Sequence, residues 1–359
     1  MRKSFGPVTL LLLTAACSRS AGDQEKVDLP IRQDVNFEAS DPTSQKIVAA
    51  ADAFLRLLSD QQRKAVIFPF TDNAQRAKWS NFPSGIFQRD GLKRGDLTAQ
   101  QNIALDQLLA TVLSQKGVRN TRLQMAADDA LKASDSGGGG GPSPNFGSAN
   151  YYVSFLGMPS LNHPWMFQFG GHHLAINATF AGPSASFSPM LTGGQPLTVT
   201  YDGQKTYITK EELGAARAFL ASLNPQEKSA AVRSSTAIQL VLGPGEFGTT
   251  IAPEGVRGSA LTDQQKQLLL AIVEARIGQF NARDANAKMA QVRSDIGDTY
   301  FGWWGPEQPI GAAYYRITGP HIVLEYSPQK LGNGDPTEHA HNMYRDPTND
   351  YGSAWIKAR

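Results

Sequence analysis

The chain repeats itself in order, and this self-similarity limits what it can fold into more than any single motif does. Three segments recur in the same order, namely 53–62 as 218–227, 89–101 as 253–265, and 169–177 as 317–325. Such recurrence indicates one structural unit that is used twice. We predict a duplicated domain over residues 43–352, with repeat 1 at about 43–205 and repeat 2 at about 206–352. Chance similarity between common helix and strand patterns is the alternative.

Both copies predict helices that are followed by strands. Thr98 and Thr262 each stand three residues before a glutamine, which is the capping-box pattern. The predicted helices are about 99–115 and 263–279, and the predicted strands, rich in aromatic and β-branched residues, are 151–157 and 300–305. The expected fold class is α+β: two similar helix–helix–strand halves forming one globular unit with a mainly antiparallel sheet.

Charge and composition exclude some classes of protein. Lysine and arginine total 34 against 32 acidic residues, and the basic residues are spread along the chain. Because nucleic-acid binding needs a concentrated positive surface, we expect no nucleic-acid partner. A chain with 41% apolar and 18% charged residues is typical of a globular domain with a substantial core.

The amino-terminal residues predict export. Arg2 and Lys3 precede a short apolar stretch at 8–16, and Cys17, the single cysteine of the chain, follows at once. This order predicts a signal peptide of the lipoprotein type at 1–16, with Cys17 lipidated, and the apolar stretch is too short for a permanent membrane span. We therefore expect a membrane-anchored, periplasm-facing lipoprotein.

Several neighbouring features refine this prediction. Thr14 stands where a lipobox usually has leucine, so ordinary signal-peptidase cleavage before Cys17 is an alternative. Ser18, rather than aspartate, favours the outer membrane. The polar stretch within 17–42 predicts a flexible tether. The glycine run at 137–141 predicts a loop without a counterpart in the second repeat, either a lid or a solvated loop.

The histidines are distributed unevenly. All six lie in two strand-rich blocks, and they are His163, His172, His173, His321, His339 and His341. Histidines placed at random would rarely avoid every predicted helix, which suggests a shared site. Because residues two apart on a strand share a face, His339 and His341 form a pair that can chelate one metal ion; a polar strand face or turn is the alternative.

A second histidine pair follows two glycines, at a point where the apolar phase of the sequence shifts. We interpret the shift at His172 and His173 as a two-glycine bulge or as a strand buried on both faces. If the halves pack about a pseudo-twofold axis, His173 and His321 occupy equivalent places and could approach each other. Glu325, on the same strand face as His321, adds one carboxylate. An imidazole-rich set of this kind suits a transition metal, zinc or copper, rather than calcium or magnesium.

Two charged residues come directly after the second histidine pair. Arg345 can bind a carboxylate through two hydrogen bonds, and Asp346 can orient a ligand histidine. Together with Glu325 they are candidate catalytic groups. A hydrogen-bonded structural loop is the alternative.

The motifs carry a resemblance to a known family. Residues 169–177, 89–92, and His339–His341 with 345–352 together resemble the bacterial family called domain of unknown function 3500, DUF3500. The resemblance covers nearly all of the mature chain, about 43–352. It implies membership without an activity.

Three hypotheses about function follow. The first is a metal-binding envelope lipoprotein, a metal-dependent oxidase or hydrolase, with His173, His339 and His341 as the foremost ligands and His172 and His321 next. The second is a non-catalytic binding protein whose aromatic residues line a cleft for a peptide or small molecule, namely Trp165, Tyr151, Tyr152, Trp303 and Trp304. The third is metal-free acid–base catalysis by a histidine and Glu325. Common nucleophile, zinc-protease and nucleotide motifs do not occur.

Overall fold

A computed structural model describes residues 26–32, 35–37, 41–134, 144–330 and 334–358. The predicted signal peptide, Cys17 and the glycine run lie outside these residues. Among the residues it describes, none of the helices combines the length and apolar character needed to cross a membrane.

The described residues form ten α-helices. They are α1 Pro42–Arg56, α2 Asp60–Val66, α3 Asn73–Arg76, α4 Ala99–Val112, α5 Gln115–Ser134, α6 Lys210–Ser222, α7 Pro225–Ala231, α8 Asp263–Ile277, α9 Ala282–Ser294 and α10 Ser353–Ile356. The predicted capping boxes are confirmed: Thr98 begins α4 and Thr262 begins α8, each with its glutamine bonded back to the cap. Both helices end a few residues earlier than predicted.

The same residues form fifteen strands. They are β1 Ile67–Phe68, β2 Leu92–Lys93, β3 Tyr152–Leu156, β4 Trp165–Gly171, β5 Leu174–Ala181, β6 Ser184–Ser186, β7 Met190–Gly194, β8 Thr198–Tyr201, β9 Gln204–Tyr207, β10 Val232–Ser234, β11 Val256–Arg257, β12 Tyr300–Trp304, β13 Tyr314–Gly319, β14 Ile322–Pro328 and β15 Ala340–Arg345. The two strands predicted from aromatic and β-branched residues are β3 and β12.

Thirteen strands belong to one sheet, and β8 with β9 forms a separate hairpin. The main path of the sheet runs β1-β3-β4-β5-β7-β15-β14-β13-β12-β10. The pairs β1–β3 and β10–β12 are parallel, and the other pairs along this path are antiparallel. The α+β class with a mainly antiparallel sheet is confirmed.

The two faces of the sheet bury different neighbours. On one face, here called the helical face, strand residues such as Phe167 and Leu324 join the main core with helix residues such as Leu105. On the other, here called the loop face, loop residue Trp79 packs on strand residue Met343. Alternation along each strand therefore decides whether a side chain meets helices or loops.

The order of elements recurs along the chain. Apart from the short α3, the series α1, α2, β1, β2, α4, α5, β3, β4, β5 has the order and strand pairing of α6, α7, β10, β11, α8, α9, β12, β13, β14. Residues that lie side by side also correspond, with Ser154, Gln168 and Asn177 in one series and Gly302, Arg316 and Glu325 in the other. This is the register expected from aligning 169–177 with 317–325.

Both of those aligned segments are hairpins rather than single strands. His172 and His173 form the turn between β4 and β5, and His321 lies in the turn between β13 and β14. The shift in apolar phase at the first histidine pair therefore comes from a turn, and the interpretation as a bulge is wrong. Because His321 is a turn residue, it also does not share a strand face with Glu325.

Part of the predicted tether packs on the domain. Val27 and Leu29 are buried in an apolar cluster with Ile356, and Ile31 pairs with Lys357 in an antiparallel bridge. Over this stretch the structure differs from the flexible segment that we predicted, because alternate apolar residues meet apolar surface near the carboxyl terminus.

Candidate metal centre

Strand order brings distant histidines together at one end of the sheet. β7 lies between β5 and β15 and is antiparallel to both, so β5 and β15 begin at the same end. The turn before β5 carries His173, whose backbone has a positive φ of 58°. His339 is extended and directly precedes β15, so its side chain and that of His341 share one face, as the sequence predicts, and this is the loop face.

The Nε2 atoms of these three histidines converge. His339 Nε2 lies 2.9 Å from His173 Nε2 and 3.2 Å from His341 Nε2. One nitrogen from each ring lies within 4.8 Å of the other two. In a tetrahedral site with metal–nitrogen distances of about 2.05 Å, ligand nitrogens are roughly 3.3 Å apart. The group could therefore hold a metal ion.

Hydrogen bonding alone does not account for this arrangement. A neutral imidazole nitrogen either donates its proton or accepts through its lone pair, so His339 Nε2 can form only one hydrogen bond with its two neighbours. The other contact would then bring two ring nitrogens together without a proton between them. A cation among the three lone pairs satisfies both contacts.

The electrostatic surroundings keep the three rings neutral. Burial lowers the pKa of His173 and His339 well below the ordinary value, and the neighbouring imidazoles lower both further. Burial and His172 lower the pKa of His341 to about 3. Because metals bind the neutral imidazole, the protein presents these ligands in the binding form at neutral pH.

Asn81 and Arg89 hold the site from the loop face. The Asn81 carbonyl accepts a hydrogen bond from the His173 backbone N–H at 3.3 Å, and its side-chain amide lies 3.5 Å from His341 Nδ1. Arg89 donates to the carbonyls of Ser80, Phe82 and Gly171, which ties the loop that carries Asn81 to the end of β4. Contacts of this kind orient metal ligands.

A histidine–aspartate pair adjoins the three rings. The His172 ring packs against the His173 ring in a tilted arrangement with ring centroids 3.7 Å apart, and its Nδ1 lies 2.7 Å from Asp128 Oδ1 in α5. When neutral His172 donates from Nδ1 to this carboxylate, Nε2 keeps the lone pair. Asp128 also accepts the backbone N–H of Gly147. His172 thus borders the group of three without belonging to it.

The structure does not bring His321 or Glu325 into the site. β14 is antiparallel to β15, so the turn with His321 lies at the opposite end of the strands, where the ring contacts Asp295 at 2.5 Å. Glu325 shares the loop face, but its oxygens accept the backbone N–H groups of Val241 and Leu242 at 2.8 Å and the Tyr314 hydroxyl at 2.6 Å. The expected approach of His173 to His321 is therefore wrong, and the Glu325 carboxylate holds a loop.

The other two candidate catalytic residues also have structural partners. Arg345 donates to Asp350 and to the carbonyls of Leu242 and Gly243. Asp346 accepts from Lys288 at 2.5 Å and from Thr348. Arg345 is the last residue of β15 and Asp346 follows it, at the end of the strand that lies away from His339. They form the hydrogen-bonded structural loop that we gave as the alternative.

The five predicted cleft aromatics do not form a common cleft. Trp165 stacks on Phe180, and the Trp303 ring stacks in the core while its Nε1 donates to a carbonyl. Tyr151 is buried, and its hydroxyl donates to the His172 carbonyl. Trp304 is buried beneath the Arg316 guanidinium, and Tyr152 borders a cavity of only about 20 Å³. Four of these five aromatic residues belong to strands of the sheet, and Tyr151 directly precedes one.

Sequence reasoning missed Asn81 and Asp128. Asn81 lies in an irregular loop, and Asp128 is one of two adjacent aspartates in a helix. Neither has a spacing that indicates a partner histidine. A signal for Asp128 exists in the repeat, because residues 114 and 281 begin corresponding helices, which aligns Asp128 with Asp295, the partner of His321.

Comparison with known proteins agrees with the sequence resemblance. The family model described as "Protein of unknown function (DUF3500)" matches residues 40–353. The chain belongs to the DUF3500 family. No curated protein and no solved structure matches it. Function therefore has to be argued from the arrangement of side chains in this DUF3500 protein.

Proposed function

We propose that this protein binds one transition-metal ion through His173, His339 and His341. The observation that carries the proposal is the convergence of three buried Nε2 atoms, with His339 Nε2 2.9 and 3.2 Å from the other two. His339 Nδ1 is buried and has no hydrogen-bond partner among the described residues. With a metal on Nε2, this Nδ1 would carry the ring proton and would donate it to an acceptor such as a water molecule.

The donor set favours zinc or copper. Imidazole nitrogens suit zinc, copper, iron and nickel, and the Irving–Williams order makes copper(II) the tightest binder in vitro. Three protein ligands leave a coordination position open, as in catalytic zinc sites. Zinc there would lower the pKa of a bound water and support hydrolysis, whereas copper would support oxidation. We propose a metal-dependent hydrolase or oxidase, in which His172 and Asp128 border the reacting centre.

Metal titration tests this proposal. Chelator-treated protein, freed of chelator, is titrated calorimetrically with Zn²⁺ and with Cu²⁺. We expect one equivalent to bind to the wild type, and no comparable binding to the His339→Ala/His341→Ala variant. A matched variant, His163→Ala/His321→Ala, removes two histidines outside the group and should bind as the wild type does. Equal binding by all three proteins would contradict the proposal.

We also propose that the protein is an exported lipoprotein anchored in the outer membrane through Cys17. The order of basic residues, apolar stretch and cysteine supports this. Metabolic labelling with a fatty acid and fractionation of membranes test it. Label in the membrane fraction that disappears in Cys17→Ala is expected; an unlabelled, soluble wild-type protein would contradict it.

We further propose that the domain arose by internal duplication. Support comes from the recurring order of elements and from the matched capping threonines Thr98 and Thr262. In each half, a histidine in the hairpin turn also contacts an aspartate of a helix or its end: His172 contacts Asp128, and His321 contacts Asp295. Under this proposal the metal site is shared by the two copies, because His173 belongs to repeat 1 and His339 and His341 belong to repeat 2.

A further inference from the structure

A larger cavity lies on the helical face of the sheet, and the three histidines are on the other face. Its volume is about 630 Å³, within the usual range for small-molecule sites. α5, the β8–β9 hairpin and the start of α6 form its walls, while β7, β15 and the end of α8 form its floor. Asn342 lines it, whereas His341, the preceding residue of β15, points to the opposite face.

The floor of this cavity is built from buried polar groups. Thr192, Asn342 and Gln279 are at most 5% exposed, and Asn120 donates to Gln279 at 2.8 Å. The Asn342 side chain satisfies both its ends when its oxygen faces Arg276. Burying so many amide and hydroxyl groups costs free energy unless they are hydrogen-bonded. The floor of the cavity is therefore polar, and hydrogen bonds within the protein hold its side chains in place.

Beneath the floor, the charges are already balanced. Arg276 donates to both carboxylate oxygens of Glu212 at 2.8 and 2.6 Å, and the Tyr315 hydroxyl donates to the same carboxylate at 2.6 Å. At the wall, Lys116 pairs with Glu211. The negative charges of the two acidic lining residues, Glu211 and Glu212, are thus each neutralised by a paired cation, so they do not exclude an anion from the cavity.

Three further cations line the cavity and have no ion pair within the described part of the chain. They are Arg119, Lys205 and Lys210, and all three are exposed. They come from three elements, α5, the β8–β9 hairpin and α6, so that they surround the cavity rather than follow one helix. Cations grouped around a concave polar site raise the local concentration of anions.

We propose that this cavity binds a small hydroxylated anion, a sugar phosphate or a sugar acid. The polar lining of the cavity suits the hydroxyl groups of such a ligand, and the three cations around it suit its phosphate or carboxylate. The proposal does not depend on the metal centre, which lies across the sheet.

Calorimetric titration with glucose 6-phosphate, glucuronate and glucose tests the proposal on the wild-type protein. We expect saturable binding of at least one of the two anions at millimolar concentration or below, and much weaker binding of uncharged glucose. The phosphate and carboxylate arms distinguish the two ligand classes. In Arg119→Gln/Lys205→Gln/Lys210→Gln the binding of the anion should weaken by at least about tenfold, because charged hydrogen bonds are lost.

A matched variant controls for net charge. Lys46→Gln/Arg56→Gln/Lys64→Gln removes three exposed cations from α1 and α2, away from the cavity, and should bind the anion like the wild type. The His339→Ala/His341→Ala variant should also retain it. Absence of binding for both anions, equal binding of glucose, or equal loss in both triple variants would overturn the proposal.

Discussion

At the scale of single residues, the proposed metal centre depends on how its three histidines are oriented. Asn81 contacts two of the three histidines, through its carbonyl to His173 and its side chain to His341. A ligand that binds metal through Nε2 carries its proton on Nδ1 and needs an acceptor there. The amide oxygen of Asn81 can serve, because oxygen and nitrogen of an amide are interchangeable by rotation.

We predict that Asn81→Ala weakens metal binding by about tenfold, the lower end of the effect of losing such an orienting group. The backbone hydrogen bond to His173 remains, so the fold should be retained. Calorimetric titration with Zn²⁺ measures the change. Asn162→Ala, at an exposed position, is the matched control, and equal affinities in the two variants would show that the Asn81 side chain has no orienting role.

For Glu325 we predict the opposite outcome, a loss of stability without a loss of metal binding. Burial raises the pKa of its carboxyl, while Tyr314 and the two backbone donors lower it. Glutamine replaces one of the two acceptor oxygens with an NH₂ group, which cannot accept a hydrogen bond from these donors. Glu325→Gln should therefore lower the free energy of unfolding by about 2 kcal/mol, measured by urea unfolding, with metal stoichiometry unchanged. If the variant lost metal binding and kept its stability, Glu325 would have to be counted among the residues of the metal site.

At the scale of elements, two glycines make the same close approach in the two halves. Gly91 has φ +103° and Gly255 has φ +108°, and an added Cβ would lie 2.2 Å from the Val153 carbonyl oxygen or 1.9 Å from that of Phe301. These contacts hold the chain just before β2 and β11 against β3 and β12. Both the backbone angle and the space require glycine.

We predict that Gly91→Ala and Gly255→Ala each lower the free energy of unfolding by about 1–3 kcal/mol. Gly214→Ala provides the control, because this glycine is inside α6 with nothing within 4 Å of an added Cβ; it should raise stability by about 0.5–1 kcal/mol. Urea unfolding measures all three. Tolerance of alanine at either of the first two positions would contradict the described strand contacts.

Local patterns predicted the elements better than their arrangement. The threonine caps of α4 and α8 were readable because the capping box depends on residues only three apart. The common face of His339 and His341 was readable because strands alternate. The turn at His172 lacks the asparagine–glycine signal of a tight hairpin, so the sequence pattern predicts a strand there. Apolar residues on both sides gave no other boundary.

The order of strands in the sheet could not be predicted from the sequence, and this order determines which histidines lie close together. The repeat predicts that His173 and His321 approach each other, but β7 and β15 lie between β5 and β14 in the sheet and place these turns at opposite ends. Strand order depends on contacts between residues far apart in sequence, such as His173 and His339, which are 166 residues apart. The sequence indicates the three foremost candidate ligands, whereas the contacts of Asn81 and Asp128 can be found only from the fold.

At the scale of the whole molecule, the buried histidines make the stability of the metal-free protein depend on pH. Their pKa values are lowered in the folded state, that of His341 to about 3, from the ordinary value of 6.5. As pH falls below about 6.5 the unfolded chain binds protons that the folded chain does not. Stability is therefore retained above this pH and lost below it.

We predict a steeper loss of stability between pH 7.5 and 5.5 for the metal-free wild type than for His173→Gln/His339→Gln/His341→Gln. The difference in slope is at most about 4 kcal/mol per pH unit, because each fully titrating group contributes about 1.4. Urea unfolding at several pH values measures it. Buried acids such as Glu325 and Asp350, whose pKa values are raised mainly by burial, act in the opposite direction in both proteins. Parallel slopes would mean that the rings already titrate normally.

The metal content of the protein as the cell makes it tests the central claim most directly. The untagged protein is purified from native envelopes without chelator and analysed by elemental mass spectrometry beside the His339→Ala/His341→Ala variant. We predict near-stoichiometric zinc or copper in the wild type and its loss in the variant, and the metal found would direct assays toward hydrolysis or oxidation. No transition metal in the wild type, or the same content in the variant, would contradict the assignment of His173, His339 and His341 as a metal centre.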